Sequence, residues 1–169
     1  MCDIGMKAML PWKADGVDDT LAILSDWRLV RQPCGVETAM GRLSRAYGQS
    51  MKSQRRLFQG KRGTAVRFGD GLTGLFLQVR LADTAPALGY VHMGSVREAF
   101  VDRDGKCTLR FDEDYTIHTF WNLATLERHI SALSLFVEEP ISLLITHPRS
   151  EEMERLAARR REWLGVRKS

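Results

Sequence analysis

Apolar positions along the chain recur with two different periods. In "GVDDTLAILSDWRLVRQP" the residues Val17, Leu21, Leu24 and Arg28 follow helical spacing, with Trp27 beside them. Asp18 and Asp19 suit the positive end of a helix, and Pro33 and Gly35 end it. A second helix is predicted from Val36 to Phe58. Advancing about 100° per residue, Val36, Ala39, Met40, Leu43, Tyr47, Met51, Leu57 and Phe58 fall within roughly 120° of arc. Arg42, Arg45, Lys52 and Arg56 gather within about 80° on another face, with Arg55 close by. Gly41 and Gly48 each weaken this helix by about 1 kcal/mol relative to alanine and mark where it would break. Gly60 and Gly63 close it.

After Gly63 the period becomes two. "TAVRF" leads through "GDG" into "LTGLFLQVRL", a hairpin in which Leu75, Leu77, Val79 and Leu81 share one face and Phe76, Gln78 and Arg80 the other. "ADTAPA" is a loop and "LGYVHMG" a short strand. Asp104-Gly105 in "EAFVDRDGKCTLRF" is a two-residue turn dipeptide, which pairs Phe100 with Leu109 and Asp102 with Cys107. "YTIHTFW" is a further strand. A third helix runs from about Leu123 to Phe136, capped by Asn122 and striped by Leu123, Leu126, Ile130, Leu133 and Val137. "ISLLIT" lacks polar alternation and reads as a central strand covered on both faces. Ser150 caps a last helix that ends near Gly165.

Strands joined by tight hairpins predict a mainly antiparallel sheet. The expected fold is α+β in a single domain over residues 1–169, with about five to six strands and helices packed on them, two helices N-terminal and two C-terminal. Its parts are a helical segment 17–59, antiparallel strands 63–121, a helix-strand-helix segment 122–165 and a basic tail 166–169.

Composition suits this picture. The chain has 169 residues, 44% hydrophobic and 27% charged, which are globular values for one domain of ordinary size. Cys2, Cys34 and Cys107 are odd in number and widely spaced, so free thiols in a reducing compartment are expected. The start, "MCDIGMKAMLPWKADG", lacks the apolar core of an export signal, and no window reaches a membrane span of about 18 apolar residues. A cytoplasmic location without a membrane partner follows as the expectation.

Charge changes the picture more. The formal net charge is +4. Eight bases and no acid lie between Glu37 and Asp70: Arg42, Arg45, Lys52, Arg55, Arg56, Lys61, Arg62 and Arg67. With those eight set aside, the rest of the chain carries net −4. Concentrating the whole excess in some thirty residues implies a directed electrostatic surface. Arg42, Arg45, Lys52, Arg55, Arg56, Lys61 and Arg62 are the candidate phosphate contacts, because guanidinium forks donate paired hydrogen bonds to phosphate oxygens. Tyr47 is the candidate stacking residue. The structural alternative is a solvated helix face, although such faces usually mix signs.

Other chemistry is weaker. "DRDGKCTLRFDED" places its glycine fourth where a calcium loop needs it sixth, and the hairpin turn explains Asp104-Gly105. Asp112 and Asp114 converge on one strand face with Glu98 opposite Phe111, yet acids that blunt a sheet edge explain them equally. His92, His118, His129 and His147 have no ligand spacing, and neither Cys34 nor Cys107 has a nucleophile signature. Arg159, Arg160 and Arg161 complement the end of the last helix. No catalytic residue, metal or cofactor is expected.

The function expected from these patterns is a small non-enzymatic protein that contacts nucleic acid through a basic amphipathic helix, as a regulator or as an accessory subunit of a nucleoprotein complex. The alternative is an inhibitor or adaptor that docks on an acidic protein surface, with Trp12, Trp27, Trp121 or Trp163 as anchors.

Overall fold

A computed structural model describes residues 5–14, 17–57, 65–68, 74–81, 87–103, 105–111, 115–134, 137, 141 and 143–146. The chain divides into two compact units, Met1–Val79 with Leu88–Gly94, and Arg80–Ala87 with Ser95–Ser169.

The first unit is built on a six-stranded sheet. Its strands are β1 (Met6–Ala14), β2 (Val17–Leu24), β3 (Leu29–Gln32), β4 (Ala65–Arg67), β5 (Leu75–Arg80) and β6 (Leu88–His92), in the order β3-β2-β1-β6-β5-β4. Arg80, the last residue of β5, is where the chain enters the second unit. β1 pairs antiparallel with β2 along nearly its whole length but with β6 only at Ala8 and Met9. Pro11, which has no N–H to donate, thus lies where β1 has left β6. Two helices, α1 (Val36–Ala46) and α2 (Met51–Leu57), belong to the same unit.

The second unit holds β7 (Val96–Val101), β8 (Lys106–Phe111), β9 (Thr116–Asn122), α3 (Leu123–Ser134) and β10 (Leu144–Thr146), with sheet order β10-β7-β8-β9. Ala99, Phe100, Cys107, Leu109, Phe111 and Ile117 are buried in this unit, and Leu126 and Leu133 of α3 are buried too. Asn122 caps α3 as expected, its Oδ1 accepting the Thr125 N–H at 2.9 Å.

This architecture overturns the expected α+β arrangement with two helices at each end. The described chain is mostly β, with ten strands in two sheets and three α-helices among the described residues. The first predicted helix is the strand pair β2–β3. Residues Asp19 to Ile23 are buried in succession, so both faces of β2 are covered and the polar alternation of a half-exposed strand is missing. Asp19 does not cap a helix. It is 3% exposed and accepts a hydrogen bond from Arg31 Nε at 2.5 Å across the β2–β3 pair. The long second helix is two helices.

Two finer expectations also change. The β7–β8 hairpin turns through three residues, because Asp102 N–H donates to Lys106 O at 2.8 Å and Gly105 takes φ 73°. A left-handed glycine that closes a three-residue loop shifts the register by one. Phe100 therefore faces Thr108, and Val101 faces Cys107. β10 is an edge strand, parallel to β7, where a central strand was expected. The predicted helix from Ser150 to Gly165 and the basic tail lie outside the described residues.

Candidate nucleic-acid interface

α1 places half of the basic surface. Val36, Ala39 and Met40 are buried in a cluster with Met6, Met9, Ala22, Val66, Phe68, Phe76 and Tyr90 of the sheet, and Leu43 packs against it. At the first turn Glu37 is held down by polar contacts: Tyr90 Oη donates to Glu37 Oε1 at 2.7 Å, and Gln78 Nε2 donates to the same oxygen at 2.9 Å. One side of the helix is thereby committed to the sheet, and Arg42 and Arg45 on the other side are exposed.

The break between the helices is built from standard end chemistry. Gly48 takes φ 72°, Gly48 N–H donates to Arg45 O at 3.0 Å, and Gln49 N–H donates to Ser44 O at 2.9 Å. These paired bonds across a left-handed residue stop a helix and satisfy its last carbonyls. Ser50 then caps the next helix, its Oγ accepting the Ser53 N–H at 3.1 Å.

α2 is fastened by Gln54, which is 3% exposed. Its Oε1 accepts the Arg67 N–H at 2.9 Å and its Nε2 donates to Arg67 O at 2.6 Å. The side-chain amide thus pairs with β4 as another strand would. Met51 packs against the core cluster, and Lys52 and Arg56 remain exposed.

Of the sequence-predicted contacts, Arg42, Arg45, Lys52 and Arg56 are exposed, and none forms an ion pair with a described residue. Arg42 Nη1 approaches Cys34 Sγ at 3.7 Å. Within each helix the two cations are three or four residues apart, the spacing of surface neighbours. Tyr47 is 40% exposed, but its ring lies 5.2 Å from that of Phe68, so part of it packs on the sheet. Arg55 belongs to α2, and its side chain lies outside the described residues, as do Lys61 and Arg62.

The remaining candidates are engaged elsewhere or outside the described residues. Glu98 pairs with Arg110 and stands opposite it, not opposite Phe111. Asp112, Glu113 and Asp114 are outside the described residues. Among the described residues no cluster of three or more His, Cys, Asp or Glu side chains has the placement of a metal site. Cys107 is buried, and its pKa is pushed up to about 11 by desolvation, with Asp102 and Glu127 adding to the shift. A thiol so held is a poor nucleophile near neutrality. Trp12, Trp27 and Trp121 are half-buried. Lys7 Nζ stands 4.4 Å from the Trp27 ring and His129 stacks on Trp121 at 4.1 Å. Trp163 is outside the described residues.

Sequence reasoning missed a second group of cations around an aromatic ring. In the second unit, Phe120 of β9 is 45% exposed, with Lys106 Nζ 4.4 Å and Arg80 Cζ 5.0 Å from the centre of its ring. The signal was present in "TIHTFW": period two sets Phe120 in phase with His118 and out of phase with the buried Ile117 and Thr119.

No helix among the described residues is long and apolar enough to cross a membrane. No protein-family model matches the chain, and no significant match is found among curated proteins or solved structures.

Proposed function

We propose that the protein is a non-enzymatic nucleic-acid-contacting protein, a regulator or an accessory subunit of a nucleoprotein complex, acting through the basic side of α1 and α2. The observation that carries this reading is the state of Arg42, Arg45, Lys52 and Arg56. All four are exposed and none is neutralised by a described acid. Burial of the apolar side of α1 against the sheet, favourable by roughly 25 cal/mol per Å², leaves the basic side to solvent. Charges presented in this way attract a polyanion and cost little desolvation until it arrives.

The test is binding to a generic duplex as a function of salt. Affinity should fall with a log–log slope of about −0.9 per phosphate contacted. Changing Arg42, Arg45, Lys52 and Arg56 together to Glu should abolish binding. Surface changes of this kind usually alter stability by less than about 0.5 kcal/mol each, so the melting transition serves as the control. Salt-insensitive binding, or none at low salt, overturns the reading. A protein partner that stays bound after nuclease treatment supports docking on an acidic protein surface instead.

A further inference from the structure

We propose that Phe120, Arg80 and Lys106 form a stacking site for an unpaired base, so that the nucleic acid contacted by this chain includes a single-stranded portion. This deepens the nucleic-acid reading and rests on it.

Three observations within the second unit carry the proposal. The first is the ring itself. β9 closes one end of its sheet's strand order, and Phe120 points away from the side on which Ile117 and Thr119 are buried. A phenylalanine 45% exposed on a strand presents apolar area that any flat partner covers with gain. The second is the convergence of cations from two other strands. Leu81 bridges antiparallel to Thr119, which brings Arg80 beside Phe120, and Lys106 opens β8 opposite Asn122. The third is that neither cation forms an ion pair with a described residue. Among the described residues, the partner of each is the Phe120 ring, whose quadrupole attracts them.

An aromatic face with unneutralised cations a few ångströms away matches a nucleotide, which joins a planar base to a phosphate. A base settling on Phe120 displaces one cation from over the ring, and that cation can reach the adjoining phosphate. Base–aromatic stacking tolerates any sequence because every base has a π-face. A regular duplex cannot use the site, since its bases are already stacked on each other. The chemistry therefore selects single strands, loops or frayed ends.

The experiment uses the full chain and two labelled probes in fluorescence anisotropy: a single-stranded oligothymidylate of about 20 nucleotides, longer than one binding site, and a duplex of equal length. Phe120→Ala should weaken single-strand binding about 5- to 150-fold, the loss expected for one stacked base, and leave duplex binding unchanged. Phe120→Trp should restore single-strand binding, with its fluorescence quenched by the oligonucleotide. Arg80→Gln with Lys106→Gln should lower the salt slope for the single strand only. Single-strand binding that Phe120→Ala leaves intact, while the Glu variant of α1 and α2 loses the duplex, overturns the stacking site and keeps the broader reading. If the unaltered protein binds neither probe, the broader reading fails and the stacking site with it.

Discussion

Tyr90 Oη donates a 2.7 Å hydrogen bond to Glu37 Oε1, joining the middle of the first sheet to the first turn of α1. Tyr90 is fully buried and Glu37 is exposed, so the bond runs from the core to the surface. Gln78 bonds to both partners. The triad fixes where α1 begins, and through it which side turns Arg42 and Arg45 outward. Tyr90→Phe keeps the ring and removes the donor. It should destabilise the fold by about 1–2 kcal/mol, as for a bond to a charged group that retains one other donor. An unchanged urea midpoint would mean that the bond contributes nothing.

Gln54 offers a second measurement. Gln54→Leu keeps comparable bulk and strips both of these bonds from the Arg67 backbone. The expected loss is about 2–3 kcal/mol, together with faster amide exchange at Arg67. Exchange at Arg67 as slow as in the unaltered protein would contradict the pairing.

The helix break depends on Gly48, whose φ of 72° is unfavourable for any side chain. Gly48→Ala should cost about 1–2 kcal/mol and lower Tm by a few degrees, about 2–4 °C per kcal/mol for a chain of this size. Gly48→Asn should cost less, because Asn tolerates the left-handed region better. Equal melting for the two variants would argue against the left-handed turn.

The two described cysteines should differ in a labelling experiment. Cys34 is half-buried and should react with a thiol reagent in the native state, while Cys107 should react only on unfolding. Cys107 also sets a pH dependence. Its pKa rises from an ordinary 9.0 to about 11 in the fold. Below pH 9 both states keep the proton. Between about pH 9 and 11 the unfolded chain loses it and the folded chain does not, so stability declines as pH rises through that window. Cys107→Ala should flatten the decline.

Legibility differed from element to element for physical reasons. β5 was readable because Leu75, Leu77 and Val79 alternate with Gln78 and Arg80, and α3 because an Asn cap precedes a regular stripe. β2 was not. Val17, Leu21 and Leu24 happen to fit a helical period, and burial on both faces removed the alternation that marks a strand. Asp19 misled in the same direction, since only tertiary structure supplies its partner Arg31. The break at Gly48 was foreseeable from glycine's cost in a helix. The register of β7–β8 turned on whether Asp104-Gly105 closed a two- or a three-residue loop, and the dipeptide fits both. The cations of α1 and α2 were legible as a charge run. The cations around Phe120 were not, because Arg80, Lys106 and Phe120 come together through the bridge at Leu81 and the β8–β9 pairing.

The amide of Gln54 has a consequence for self-association. The six-stranded sheet ends at β3 on one side and at β4 on the other. At β4 the backbone groups of Arg67 are occupied by a side chain of the same molecule. At β3, where Leu29 and Val30 are exposed, the only paired neighbour among the described residues is β2. Strand addition to this sheet is therefore polar in the sense that a polymer chemist gives to a chain with one blocked end. Two copies joined β3 to β3 about a twofold axis would carry at each outer end a β4 whose Arg67 backbone is already paired with Gln54. A further copy adding at β4 would have to displace Gln54 from Arg67, which opposes running on into a filament.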